Sequence, residues 1–154
     1  MTILGIDPGS VRAGYGLIKK ERGDFIWLES GLFKIPTKTT LGNQLLALEK
    51  DMEKFIKKTK PDLVGLEKIF MNKNKKTGVF VAQARGIIVK VAAAHELRLV
   101  ELSPSSIKLS VTGDGRANKK AVAKMVGLFL KMEIAGLLDD ETDALATAIA
   151  VSNY

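Results

Sequence analysis

Twice in this chain a short strand-like run ends on an acid. Leu4-Gly5-Ile6-Asp7 and Val64-Gly65-Leu66-Glu67 each read apolar, glycine, apolar, carboxylate, and then break. Short apolar runs bounded by breakers fit buried strands. If the two strands are parallel neighbours in register, Asp7 and Glu67 leave the sheet at one edge, about 4.8 Å apart strand to strand. Like charges that close repel and do not both ionise cheaply. A divalent cation removes the difficulty. The carboxyl ends of parallel strands are also where α/β domains place their chemistry.

Composition narrows the choice of ion. The chain has no cysteine and a single histidine, His95. That excludes a thiolate metal site, a cysteine nucleophile and a disulfide framework. Hard oxygen donors without imidazole or thiolate favour Mg²⁺ or Mn²⁺ over Zn²⁺.

Hydrophobic periodicity places these strands in an α/β domain. Thr2–Asp7, Ala13–Lys19 and Phe25–Phe33 read as an antiparallel meander, with Glu21-Arg22-Gly23-Asp24 as a turn. Thr39 or Thr40 is positioned to cap a helix whose apolar positions are Leu41, Leu45, Leu48, Met52, Phe55 and Ile56. Asp62–Glu67 is the second acid-ending strand, and residues 68–77 read as a basic loop. Gly78–His95 is helical and nearly apolar all round, so it needs partners on more than one side. It is a candidate dimer contact, because Ala82, Gly86 and Ala93 would admit another backbone; a buried core helix explains it equally. Arg98–Leu102 is a further strand and Ser103–Val111 a short helix. Asn118 opens another helix, and Asp139 or Asp140 opens the last, through Ile149. The order β-β-β-α-β-α-β-α-α-α predicts a five-stranded mixed sheet flanked by helices, in one domain spanning 1–154.

The positive charge is clustered. The net charge is +7. Between Lys68 and His95 stand Lys68, Lys73, Lys75, Lys76, Arg85 and Lys90, with no acid. Between Leu102 and Met132 stand Lys108, Arg116, Lys119, Lys120, Lys124 and Lys131, with Asp114 the one acid. The rest of the chain has more acids than bases. Two basic segments on an acidic body predict a face that binds a polyanion; solvated lysines are the plainer account. No uncharged stretch approaches the roughly 18 residues that span a bilayer. Met1–Asp7 lacks the basic and long apolar regions of a signal peptide. A cytoplasmic protein without a membrane partner is the expectation.

Asp139-Asp140-Glu141-Thr142-Asp143 adds more carboxylates. Asp140 and Asp143 are spaced i, i+3, on one face of the last helix. A helix start favours acids through its dipole and cap, which accounts for one or two of them. It does not account for Ala144 and Thr147, which keep that face small, as a helix packed on the sheet edge beside Asp7 requires. Four carboxylates from three elements fit a two-metal site, with ions about 3.5–4 Å apart clamping the oxygens of a phosphodiester.

These residues carry a resemblance. Gly5-Ile6-Asp7-Pro8-Gly9-Ser10 with Gly14-Tyr15-Gly16, Glu67 with Phe70-Met71-Asn72-Lys73-Asn74, and Gln83-Ala84-Arg85-Gly86 resemble the RuvC family of bacterial Holliday-junction resolvases. Ser103-Pro104 with Ile107-Lys108, Val111-Thr112-Gly113 with Gly115, Lys119, and Asp143-Ala144-Leu145-Ala146 continue it in family order across nearly the whole chain. The resemblance implies a ribonuclease-H-like fold and a homodimer. It implies Mg²⁺-dependent nicking of two like-polarity strands at a four-way DNA junction, with two ions per site and Mn²⁺ able to substitute. It also implies work beside the RuvA and RuvB branch-migration proteins.

Carried over residue by residue, the family's catalytic and metal-holding acids fall on Asp7, Glu67, Asp140 and Asp143. Its bases near the scissile phosphate fall on Lys108 and Lys119, and its junction-centre aromatic on Phe70. Lys119 would neutralise charge developing on the phosphorane, or serve as one more steering lysine. Phe70, in a basic and otherwise polar loop, would stack on or wedge between bases, or anchor that loop to the core. Lys73, Lys75, Lys76, Arg85, Arg116 and Lys120 complete the predicted DNA-binding set, with Gln83 and Arg85 touching backbone or DNA. Three alternatives stand beside this reading. One is a related ribonuclease-H-like nuclease acting on RNA. Another is an actin-like ATPase, whose phosphate loop Gly5–Ser10 also resembles. The third is a junction-binding protein without catalysis.

Overall fold

The computed structural model describes residues 1–68 and 75–154, with side chains from residue 78 onward in the second stretch. Its elements follow the predicted order: β1 (Thr2–Asp7), β2 (Arg12–Glu21), β3 (Asp24–Lys34), α1 (Leu41–Thr59), β4 (Leu63–Glu67), α2 (Lys75–Ala94), β5 (Arg98–Leu102), α3 (Pro104–Thr112), α4 (Lys119–Leu130) and α5 (Asp139–Val151). The five strands lie in the order β3-β2-β1-β4-β5. β1, β2 and β3 are antiparallel neighbours, whereas β4 and β5 run parallel to β1.

Local chemistry sets the boundaries. Arg22 (φ 52°) and Gly23 (φ 93°) are both left-handed, which is the tight turn whose twist suits a two-residue hairpin. The Thr40 hydroxyl accepts from the Asn43 amide at 3.3 Å, so Thr40, not Thr39, caps α1. Ser103 caps α3, with Pro104 following in its first turn. Asn118 Oδ1 accepts from the Ala121 amide at 2.9 Å and starts α4. Most boundaries fall within two residues of expectation, and the widest difference is at α2. α2 begins at Lys75 rather than Gly78, so Lys75, Lys76 and Thr77 belong to the helix and not to the basic loop. Lysine is a good helix former, and glycine is tolerated inside a helix that tertiary packing supports.

The sheet separates two cores. On one face, Leu4, Ile6, Val64 and Leu66 pack against Leu48, Met52 and Phe55 of α1 and Ala84, Ile88 and Val91 of α2. On the other, Ile3, Ile18 and Leu63 pack against α3, α4 and α5. Alternation along β1 and β4 therefore puts Gly5, Asp7, Gly65 and Glu67 on the α5 side. α2 is apolar on both sides but buried on one: Val79, Ala82, Gly86 and Ala93 are exposed or face open space. No helix among the described residues is long and apolar enough to cross a membrane.

Candidate active site

α5 lies on the sheet with almost no side chain between them. A Cβ on Gly5 would stand 2.0 Å from the Ala144 carbonyl oxygen, and one on Gly14 would stand 2.0 Å from that of Asp140. On Gly65 it would meet the Val151 side chain at 2.7 Å, and on Gly16 that of Leu145 at 2.6 Å. Four glycines on three strands thus clear a track for one helix. Ala144, Thr147 and Ala148 are its small, fully buried underside. The second letter of the twin strand motif therefore exists to bring in the helix that carries the other two acids.

Parallel pairing of Gly5 with Gly65 and Ile6 with Leu66 puts Asp7 and Glu67 on the next rung, side by side at one sheet edge. Gly14 of β2 stands opposite Asp7 on the other side, with the first turn of α5 above it. The structure thereby brings together Asp7, Glu67, Asp140 and Asp143. Burial is the main force on Asp7, and the charges of Glu67, Asp143 and Asp140 add to it; its carboxyl is pushed up to about 7. Glu67 is raised as well, by burial first and then by Asp143, with Lys119 and Lys108 acting in the opposite sense.

Cationic side chains hold the other two acids. Lys119 Nζ donates to Asp143 Oδ2 at 3.0 Å, a hydrogen bond that raises the lysine's own pKa, and it stands 3.9 Å from Asp139. Arg12 donates to Asp140 Oδ2 through Nε at 2.9 Å and approaches it through Nη2 at 2.8 Å. Glu67, Asp143, Lys108 and Lys119 line one cleft of about 200 Å³, floored by Ile107, Val122 and Ala146.

The donor set fits a hard divalent cation. All four acids offer oxygen, and the Asp7 proton near neutrality reports a site with too much negative charge for its burial. Among the described residues no three of these groups close round a single point. Arg12 and Lys119 instead supply part of the positive charge.

The predicted DNA-binding residues are distributed unevenly. Lys108 and Lys119 are at the acids, and Arg116 and Lys120 are exposed beside Lys119 at the start of α4. Phe70 and Lys73 lie outside the described residues, as do the side chains of Lys75 and Lys76. Arg85 is on the opposite face of the sheet. It is paired with Glu101 of β5, and its Nε is buried with no hydrogen-bond partner among the described residues. Sequence reasoning missed Arg12, whose place at the first position of β2 gave no sign of a carboxylate partner. It also missed the purpose of Gly14 and Gly16, although glycines two apart in a strand do mark one bare face.

Comparison with known proteins agrees with this geometry. A family model described as crossover junction endodeoxyribonuclease RuvC matches residues 3–151. The RuvC of Alkaliphilus metalliredigens is 39% identical over 149 residues, covering 97% of this chain and 91% of that protein. The RuvC of Halothermothrix orenii is 38% identical over 153 residues, covering 99% and 93%. Thermus thermophilus RuvC in complex with Holliday junction substrate superposes with a TM-score of 0.90 at 24% identity, over 97% of this chain and 92% of that one. The yeast mitochondrial Holliday junction resolvase Ydc2 gives 0.70 at 16% identity, over 96% and 77%. The fold is the ribonuclease-H-like one that the strand order suggests. The likeness runs almost from end to end, through the stretches that carry the edge acids, at nearly two-fifths identity: this chain belongs to the RuvC family.

Proposed function

We infer that this protein resolves four-way DNA junctions, nicking two strands of like polarity at symmetric positions in recombination and repair. The observation that carries the reading is the gathering of Asp7, Glu67, Asp140 and Asp143 at one sheet edge, with Lys108 and Lys119 lining the same cleft. Membership of the family supports the junction as substrate. A rival RNA nuclease or actin-like ATPase finds no observation in its favour.

The four carboxylates would hold Mg²⁺ or Mn²⁺, two ions to a site. When bound, such ions activate water at neutral pH and stabilise the departing oxygen. The protein's own side chains do the rest. Lys119 and Lys108 sit where a phosphodiester entering the cleft must pass, and their ammonium groups neutralise charge as it develops. Lys119 is already fixed in position by Asp143, so it loses little freedom when substrate arrives. The apolar floor of Ile107, Val122 and Ala146 keeps the cleft dry on one side, which strengthens those charges. Arg116 and Lys120 extend the basic face from this point, and Phe70, Lys73, Lys75 and Lys76 would add further contacts to DNA; Arg85, paired with Glu101 on the other face of the sheet, stands apart from them.

Paired nicks need two sites on one rigid body. A C₂ dimer matches the approximate two-fold symmetry of the junction, and the exposed Val79, Ala82, Gly86 and Ala93 of α2 offer a surface for it. One domain spans residues 1–154, working in the cytoplasm beside RuvA and RuvB. The test is a synthetic mobile four-way junction with Mg²⁺, mapping both nicks at nucleotide resolution with Asp7→Asn as control. Paired, symmetric nicks that vanish in the control are expected; uncut junctions, or nicks indifferent to Asp7→Asn, overturn the reading.

A further inference from the structure

Arg12 balances the charge of Asp140 but has no part in the nicking chemistry. It opens β2, and both Nε and Nη2 reach the same oxygen of Asp140, at 2.9 and 2.8 Å. The second carboxylate oxygen has no side-chain partner among the described residues. The guanidinium side chain is 47% exposed, whereas Asp140 is 26% exposed. The pair closes one wall of a cleft of about 450 Å³, whose other wall is Gly9-Ser10-Val11, the turn that follows Asp7. Asp140 is one of the acids that push the Asp7 carboxyl up, so this cleft adjoins the acid cluster.

A simple structural pin would not be built this way. Two α5 residues from the same turn are each held by a base, but the bases differ. Lys119 is a point charge lining the acid cleft, and Arg12 is a planar fork over a separate, open one. A guanidinium has five N–H donors, and Asp140 uses two. The side chain that carries the others lines the Gly9–Val11 cleft beside the acid cluster, and arginine is the side chain that grips phosphate in a bidentate way.

We propose that Arg12 is a latch on Asp140: in the free protein it occupies the carboxylate, and when a divalent cation takes that carboxylate, Arg12 moves onto a DNA phosphate in the Gly9–Val11 cleft. The inference rests on the reading that Asp140 helps to hold metal. The open arrangement then serves metal and DNA together, so each ligand favours the other. The latch also keeps a charged acid from standing unpaired before substrate is present.

The test is Mn²⁺ binding to the protein alone, read from free Mn²⁺ by electron paramagnetic resonance. Arg12→Gln removes the competitor and should tighten Mn²⁺ about fivefold, the scale of one partly exposed ion pair. In an Asp140→Asn background the same change should have no effect, because the pair is already broken. At saturating Mn²⁺, Arg12→Gln should nick the junction roughly tenfold more slowly, having lost a phosphate contact. Tighter metal with slower cutting is a combination that a mere pin between β2 and α5 does not produce. Arg12→Lys, which keeps the charge but loses the fork, should leave Mn²⁺ affinity closer to wild type yet still cut slowly. Unchanged or weaker Mn²⁺ binding in Arg12→Gln overturns the latch, as does equal tightening in the Asp140→Asn background. Wild-type protein that takes up no Mn²⁺, with Asp7→Asn no different, overturns the metal reading and the latch with it.

Discussion

Gly14 and Asp140 touch through their backbones: a Cβ on the glycine would lie 2.0 Å from the aspartate's carbonyl oxygen. Nothing at that contact can rotate away. Gly14→Ala must therefore push the first turn of α5 off the sheet, and Asp140 and Asp143 move with it. The expected cost is about 3 kcal/mol or more in urea denaturation, above the usual range for an extra methyl because the obstacle is main chain. Nicking should fall further than the loss of folded protein explains. Gly42→Ala is the control, since a Cβ there meets nothing within 4 Å among the described residues; in α1 it should be neutral or slightly stabilising.

The Asp7 carboxyl, raised from 3.8 to about 7, links stability to pH. The folded protein keeps this proton where the unfolded chain has lost it. The stabilisation is thus complete below about 4 and disappears as pH rises through about 7. Metal-free protein should lose on the order of a few kcal/mol over that window. Asp7→Asn cannot titrate and should flatten the curve, while being at least as stable as wild type at pH 8. Mn²⁺ should bind more tightly as pH rises from 6 to 8, with proton release. A wild-type stability profile that matches that of Asp7→Asn across this range would remove Asp7 as the titrating group. Nicking should be lost in Asp7→Asn and Glu67→Gln alike, with junction binding retained because the basic face is intact.

Much of this site was legible before the fold was seen, for a physical reason. Metal-type chemistry needs carboxylates, and burying carboxylates at a strand end leaves a compact apolar-glycine-apolar-acid signature. Asp7 and Glu67 show it, and their adjacency needed only parallel register. The i, i+3 pair on α5 was visible because helical spacing is regular. Arg12 was not visible, because a pair between positions 12 and 140 depends on where α5 lands. Arg85 misled for a related reason. A base in a basic segment looks free, but the partner Glu101 arrives from β5, across the sheet from the acids. The alternation of Gly14 and Gly16 was on the page, but its meaning needed a helix to fill the space.

Lys119 is held at 3.0 Å by Asp143 and lines the cleft with Glu67 and Lys108. Lys119→Ala should slow nicking at saturating metal by about 10²-fold, the scale of a charge aimed at developing negative charge. Junction binding should weaken only modestly, with the salt slope of log K falling by about 1. Lys120→Ala, one residue along and exposed, should lower the salt slope equally while leaving the saturated rate near wild type. If both variants lose rate to the same extent, Lys119 is a steering lysine and not a group at the phosphate.

Gly86 decides what α2 does. The helix buries Ala84, Ile88, Val91 and Ala92 against the sheet, so the core claims one of its faces. The opposite face carries Val79, Ala82, Gly86 and Ala93, and a Cβ on Gly86 meets nothing within 4 Å among the described residues. Gly86→Arg therefore has room in the isolated protomer, and a helix interior tolerates arginine better than glycine. Circular dichroism and melting should show an intact fold. If the wild type pairs over this face as proposed, sedimentation velocity should show a wild-type dimer and a Gly86→Arg monomer, because two copies cannot approach closely over a buried, unpaired guanidinium. The monomer should make single, unpaired nicks in a four-way junction, since the second active site is no longer tied to the first. A Gly86→Arg variant that remains dimeric would mean that the interface lies elsewhere on the surface, and paired nicking would then persist.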